Sequence, residues 1–258
     1  MSGTSSDVHA AAQQGFTRQA EAYRRGRPGY PPELQGWLRD TLGLGPNRTV
    51  ADVGAGTGKF TPLLLATGAD VIAVEPVDAM RQRIAPHPHL RVQAGTAQAT
   101  GLAAASLDAL VCAQAFHWFA TPAALDEFAR VMRPGARLGL VWNVRDESVD
   151  WIAALTRIFT PYEGNAPRFY KGDWRGAFPH PAFGPLTETT FAYEHVGPPE
   201  QVIIDRVLST SFIAALPADE QARVRARLEE LVASHPALRG KTEVRVPYVT
   251  RAFAAVRG

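Results

Sequence analysis

The chain has 258 residues, 46% of them hydrophobic and 20% charged, the balance of an ordinary globular protein of roughly one to two domains. That excludes a disordered chain, which is poor in apolar residues, and 22 glycines and 20 prolines without a triplet period exclude collagen. Twenty-seven basic against 25 acidic residues leave a net charge of +2, too balanced to point to a nucleic acid or a membrane surface.

Residues 1–14 are expected to form a flexible tail. Phe16, Ala20 and Tyr23 recur at helical spacing and predict a helix over 14–25. Arg27-Pro28-Gly29-Tyr30-Pro31-Pro32 breaks it, and Leu34, Trp37, Leu38 and Leu42 share one face of a second helix. Alternating strands and helices follow. Thr49 to Val53 is a first strand. Next come a glycine-rich turn and a helix through Phe60 to Leu65, with Pro62 tolerable in its first turn. Asp70 to Glu75 is a second strand, apolar enough to be covered on both faces. A helix over 79–84 leads to strands at 90–94 and 107–115. Thr121-Pro122 caps a helix to Met132, which Arg133-Pro134-Gly135 is expected to stop before a fifth strand at 137–142. Residues 146–186 carry many aromatics among Pro and Gly and read as a helical lid or substrate insertion. Residues 187–258 complete the same domain, with an alternating strand at 186–196, helices at 200–215 and 217–234, and a last strand at 244–256. Pro247 is expected to delay its regular part to Tyr248. Such a pattern gives an α/β fold with a doubly wound, largely parallel sheet, residues 15–145 forming its nucleotide-binding half.

Asp52-Val53-Gly54-Ala55-Gly56-Thr57-Gly58 lies where the first strand meets a helix, a place for backbone to approach a ligand. A P-loop needs Gly-Lys-Ser/Thr, but Phe60 follows Gly58-Lys59. The dinucleotide fingerprint needs glycine where Lys59 stands. Glu75, at the end of the second strand, is placed to accept both ribose hydroxyls of a nucleoside. The remaining pattern, acidic-x-Gly-x-Gly-x-Gly, resembles motif I of the class I S-adenosylmethionine-dependent methyltransferases. Phe16 to Tyr23, Arg27-Pro28 with Tyr30-Pro31, Gln114 to Phe119 and Val246 to Thr250 are similar to the type 11 branch that includes trans-aconitate-methyltransferase-like proteins.

The resemblance implies a Rossmann-like seven-stranded sheet in the order 3-2-1-4-5-7-6 with strand 7 antiparallel. It implies S-adenosylmethionine as cofactor, with S-adenosylhomocysteine as product. It also implies cofactor contacts from Tyr23, Arg27, Asp52, Gly54, Gly56, Gly58, Glu75, Pro76, Thr96, Ala97 and Gln114. Gly95-Thr96-Ala97-Gln98 falls where the family contacts adenine, although many relatives have Glu at the place of Gln98.

Methyl transfer is an in-line displacement that needs positioning more than proton chemistry. His117 is the histidine placed to act as a base or a substrate hydrogen bonder, or to satisfy a backbone group beside packed aromatics. Trp118, Trp142, Tyr162, Tyr170 and Trp174 are the candidate substrate-facing aromatics. Arg27 is placed to pair with a carboxylate of cofactor or substrate. Three basic residues, Lys59, Lys171 and Lys241, are lysine and the rest arginine; with abundant alanine this reads as compositional bias and not as an arginine-lined site. His87 and His89 have no Cys or acid partner nearby in sequence, and no metal is expected.

The Asn/Asp-Pro-Pro-Tyr/Phe motif of amino-methylating DNA enzymes is absent after strand four, where Gln114-Ala115-Phe116-His117 stands. A small organic acceptor is therefore expected, at oxygen, nitrogen or carbon, and no nucleic acid. A nicotinamide-dependent oxidoreductase, and a protein that binds the cofactor without methyl transfer, are the rival readings. With Cys112 as the single cysteine, no signal-peptide core and no apolar run of bilayer length, a soluble cytoplasmic protein is expected; oligomeric state is not encoded.

Overall fold

The computed structural model describes residues 27–258; the expected tail and helix before Arg27, and Tyr23 with them, lie outside the described residues. Helix α1 (Leu34–Asp40) precedes β1 (Thr49–Val53), α2 (Thr61–Leu65), β2 (Asp70–Val74), α3 (Asp78–Arg81), β3 (Leu90–Gln93) and β4 (Leu107–Ala113). A 3-10 turn (Phe116–Trp118) then leads to α4 (Pro122–Val131) and β5 (Met132–Arg145). After α5 (Asp150–Phe159), 3-10 turns occupy 160–177 before β6 (Thr187–Gly197). A π-helix (Glu200–Asp205), α6 (Arg206–Leu208), α7 (Ser211–Ala214), α8 (Ala218–Ser234) and β7 (Val244–Val256) complete the chain.

The seven strands form one sheet in the order β3-β2-β1-β4-β5-β7-β6, with β7 antiparallel to both β5 and β6. Burial explains the parallel half: Val71 to Val74 are all buried, because helices cover both faces. Side-chain alternation divides the layers. Leu138, Leu140 and Trp142 of β5 pack with Leu125 and Phe128 of α4 on one face. Val141 packs with Leu34, Trp37 and Leu38 of α1 on the other. A third cluster joins α5 to α8 through Trp151, Leu155, Val224 and Leu228.

Three boundaries differ from expectation. The helix stops before Arg133-Pro134-Gly135 as expected, at Val131, but β5 begins at Met132 instead of Arg137, opposite Leu107, and crosses a register shift. Gly135 takes φ +78° there, and its N–H donates to the Arg257 carbonyl at 2.8 Å. Pro247 does not delay β7, which pairs with β6 from Val244. β5 ends at the Arg145–Tyr248 pair, so the missing N–H of Pro247 faces a side with no ladder to complete. The helix expected over 200–215 is interrupted after Leu208, where Ser209 and Thr210 turn their hydroxyls back onto the Arg206 carbonyl.

Candidate active site

A cleft opens above the C-terminal ends of the parallel strands β1, β2, β4 and β5 and beside the N-terminal end of the antiparallel β7, the edge where open α/β sheets bind ligands. The glycine turn after β1 forms one wall. Gly54 sits at φ +74°, and a Cβ there would meet the Ala115 Cβ at 2.7 Å. Gly56 sits at φ +58°, and a Cβ there would meet nothing within 4 Å. The first glycine lets two loops pack; the second keeps the backbone bare toward open space. Glu75, 6% exposed, holds the turn: its carboxylate accepts from the N–H groups of Gly56 and Val77, both at 2.9 Å. Burial nonetheless raises its pKa above the ordinary carboxylate value. Asp52 is fully buried beneath, with Oδ2 accepting from the Thr61 hydroxyl at 2.8 Å. Its Oδ1 has no hydrogen-bond partner among the described residues. Burial, with the Glu75 charge nearby, pushes Asp52 up to about 7.

Pro76, Thr96, Ala97 and Gln114 line the same cleft. The buried Thr96 hydroxyl lacks a partner. Gln114 is held at φ +57°, a left-handed conformation uncommon for a residue with a side chain. It turns the chain off β4 so that the 3-10 turn carries His117 and Trp118 into the cleft. The Trp142 indole donates to His117 Nδ1 at 3.0 Å. Indole is only a donor, so the neutral ring carries its proton on Nε2. Burial, and the Arg168 and Arg27 charges, pull the His117 pKa down to about 3. This ring is a donor toward the cleft; the arrangement disfavours the base role and favours the hydrogen-bonding one.

The far wall is basic. Arg27, Arg145, Arg168 and Arg206 all line the cleft, which overturns the reading of the arginines as composition alone. Arg145 ends β5 opposite Tyr248 of β7 and lies over the Phe159 ring, 5.0 Å from its centroid. Among the described residues its Nε and Nη2 are buried without partners, as is Arg206 Nε; both guanidiniums bear on the buried Tyr248 oxygen, and their charge outweighs burial to lower its pKa. Arg206 reaches the Thr210 hydroxyl at 3.3 Å. Protein surrounds Arg206 so closely that burial drives its pKa well down. Arg168 pairs with Glu163 at 3.5 Å, and Lys171 competes for the same carboxylate at 2.8 Å.

Of the aromatic candidates, Trp118, Trp142 and Tyr170 line the cleft. Trp174 does not: it is 2% exposed and packs into the sheet core against Trp142 and Phe253, with ring centroids 4.7 and 5.2 Å away. Tyr162 packs against the α5–α8 cluster, off the cleft wall. Arg27 is a candidate from the sequence; Arg145, Arg168, Arg206 and Tyr248 escape it. Their one visible signal is the Val246-Pro247-Tyr248 motif.

A methyltransferase domain model (Methyltransf_11) matches residues 51–140. An uncharacterized methyltransferase-like protein of Schizosaccharomyces pombe is 35% identical over 245 residues, 93% of this chain and 94% of its own length. An uncharacterized methyltransferase of Mycobacterium tuberculosis is 40% identical over 230 residues, 89% of this chain and 90% of its own. A solved structure from Anaeromyxobacter dehalogenans, presented as a candidate type II methyltransferase, superposes with a TM-score of 0.66 at 26% identity, covering 90% of this chain and 97% of that one. With motif I, the strand-2 acid and the 3-2-1-4-5-7-6 sheet in place, the chain belongs to the class I S-adenosylmethionine-dependent methyltransferases.

Proposed function

We propose that the protein transfers a methyl group to a small organic acceptor, at oxygen, nitrogen or carbon, within this cleft. The observation that carries the reading is the pair of buried carboxylates on the glycine-turn side, one of them with an idle oxygen. The residues fit the cofactor. Glu75 spends two lone pairs on backbone and keeps others for ribose hydroxyls. Asp52 Oδ1 and Thr96 Oγ1 are buried acceptors without partners; Asp52 suits an ammonium and Thr96 a polar edge of the base. The open space at Gly56 leaves room for the ligand chain.

When bound, the cofactor supplies an electrophilic methyl group on a sulfonium. The chain's own residues position and shield. His117 donates from Nε2 toward the acceptor, with its ring fixed by Trp142. Trp118, Trp142 and Tyr170 wall off water on the acceptor side. Residues 146–186 form the cover, anchored in the sheet core by Trp174, Ala177 and Phe183. Calorimetry with S-adenosylhomocysteine and with NADH tests the reading. Binding of the former alone is expected, followed by release of S-adenosylhomocysteine when S-adenosylmethionine is incubated with candidate small acceptors. Binding of NADH in its place would overturn it.

A further inference from the structure

We infer that Arg145, Arg206 and Tyr248 form a recognition site for an anionic group of the methyl acceptor, a carboxylate or a phosphate, with Arg168 approaching from the covering segment. The inference rests on the methyl-transfer reading and names its substrate class.

Charge comes first. Among the described residues, Arg145 Nε and Nη2 and Arg206 Nε are buried N–H groups without acceptors, and both guanidiniums bear on the Tyr248 oxygen beside them. Uncompensated buried charge is strongly unfavourable unless something supplies the missing partner. Among the described residues, the acids beside them on the cleft wall do not. Glu163 serves Arg168 and Lys171 together, and Glu147 is exposed at the rim. Both arginines and the phenol therefore converge on one space with donors to spare. A planar guanidinium pair matches the paired oxygens of a carboxylate or phosphate.

Position comes second. The glycine turn follows β1, whereas Arg145 and Tyr248 stand on β5 and β7, two and three strands away. At the usual strand spacing of about 4.8 Å this puts them roughly 10–14 Å to the side of the cofactor cradle. His117 comes off β4, between the two, and it feels the positive charge of Arg168 and Arg27. The amino-acid end of the cofactor has Asp52 and the motif I backbone on its own side. The arginine wall is left for the acceptor.

The test is calorimetry on the protein saturated with S-adenosylhomocysteine, using succinate and inorganic phosphate as anionic probes and succinamide as a neutral match. At least one anion is expected to bind, about tenfold or more tighter than succinamide. Arg206→Gln is expected to weaken that anion about tenfold or more and to leave the affinity for S-adenosylhomocysteine unchanged. Preference for succinate assigns a carboxylate, and preference for phosphate a phosphoryl group. Arg145→Gln gives an independent check, and melting of both variants in anion-free buffer reports folding. Equal binding of succinamide, silence of both anions on the parent protein, or undiminished anion binding by both variants would overturn the inference. So would loss of S-adenosylhomocysteine binding in the variants alone, which would hand the arginines to the cofactor. Failure of the parent to bind S-adenosylhomocysteine would sink the methyl-transfer reading instead.

Discussion

Asp52 is a buried carboxylate with one idle oxygen, held near the midpoint of its titration at about 7. The pKa is raised in the folded state, so the stability this group contributes is complete below the unfolded value of 3.8. That contribution is lost as pH rises toward about 7. Glu75 is shifted in the same direction. A ligand ammonium beside Oδ1 reverses the preference, since it favours the ionised carboxylate. Affinity for S-adenosylhomocysteine is therefore expected to rise between pH 5.5 and 7, by up to about tenfold per pH unit if one proton is released, and to flatten above. Asp52→Asn should abolish the slope; calorimetry across that range measures it. Glu75→Gln keeps the shape of the turn but trades an acceptor for a donor. It should weaken the same ligand about tenfold or more, and an unchanged affinity would remove Glu75 from the ribose. His117 enters as a donor. Its replacement by alanine should lower turnover by about ten- to a hundredfold, the worth of one hydrogen bond to a charged partner, rather than the larger loss of a base. The parent's pH–rate profile should then show no histidine limb near pH 6–7, and finding one would restore the base.

At the scale of elements, periodicity carried far because each strand of the parallel half is short, apolar and bounded by glycine or proline. Asp70 to Val74 could hardly be anything else. What misled was local punctuation in long strands. Arg133-Pro134-Gly135 does end the helix, yet it also lies inside β5, where Gly135 turns a bulge and the ladder resumes. Pro247 reads as a breaker, yet it lies beyond the end of β5 where no bond is lost. Segment 146–186 was legible as aromatic but not as divided in its duties. Glu147, Phe159, Glu163, Arg168 and Tyr170 face the cleft, while Trp174 and Phe183 are sheet core. That division fixes where a cover can move. Proteolysis of the free protein is expected to cut between Glu163 and Lys171, where Tyr170 is 61% exposed, and to spare 174–183. S-adenosylhomocysteine should slow the cut, and an acceptor analogue slow it further. Equal cutting rates with and without ligand would make the segment a static wall.

At the scale of the whole molecule, the carboxylate side of the cleft was legible because the residues expected to meet the cofactor follow one another in motif order along β1, β2 and β3. The acceptor half was not. Arg145, Arg168, Arg206 and Tyr248 come from separate elements, and only the antiparallel pairing of β5 with β7 sets Arg145 beside Tyr248. Among so many arginines, no spacing marks these out. The assembled cleft sets carboxylates on one side against guanidiniums on the other, with Asp52 Oδ1, Arg145 Nε and Arg206 Nε short of partners among the described residues, so a ligand that supplies them should stabilise the fold. Stability should respond accordingly. A ligand that binds only the folded state at a hundred times its Kd adds about 2.7 kcal/mol, which for a domain near this size moves Tm by about 5–10 °C. S-adenosylhomocysteine should produce that shift in the parent protein and a smaller one in Glu75→Gln at the same concentration. NADH should produce none. Differential scanning fluorimetry checks all three, and a shift with NADH equal to that with S-adenosylhomocysteine would break the link between this cleft and its cofactor.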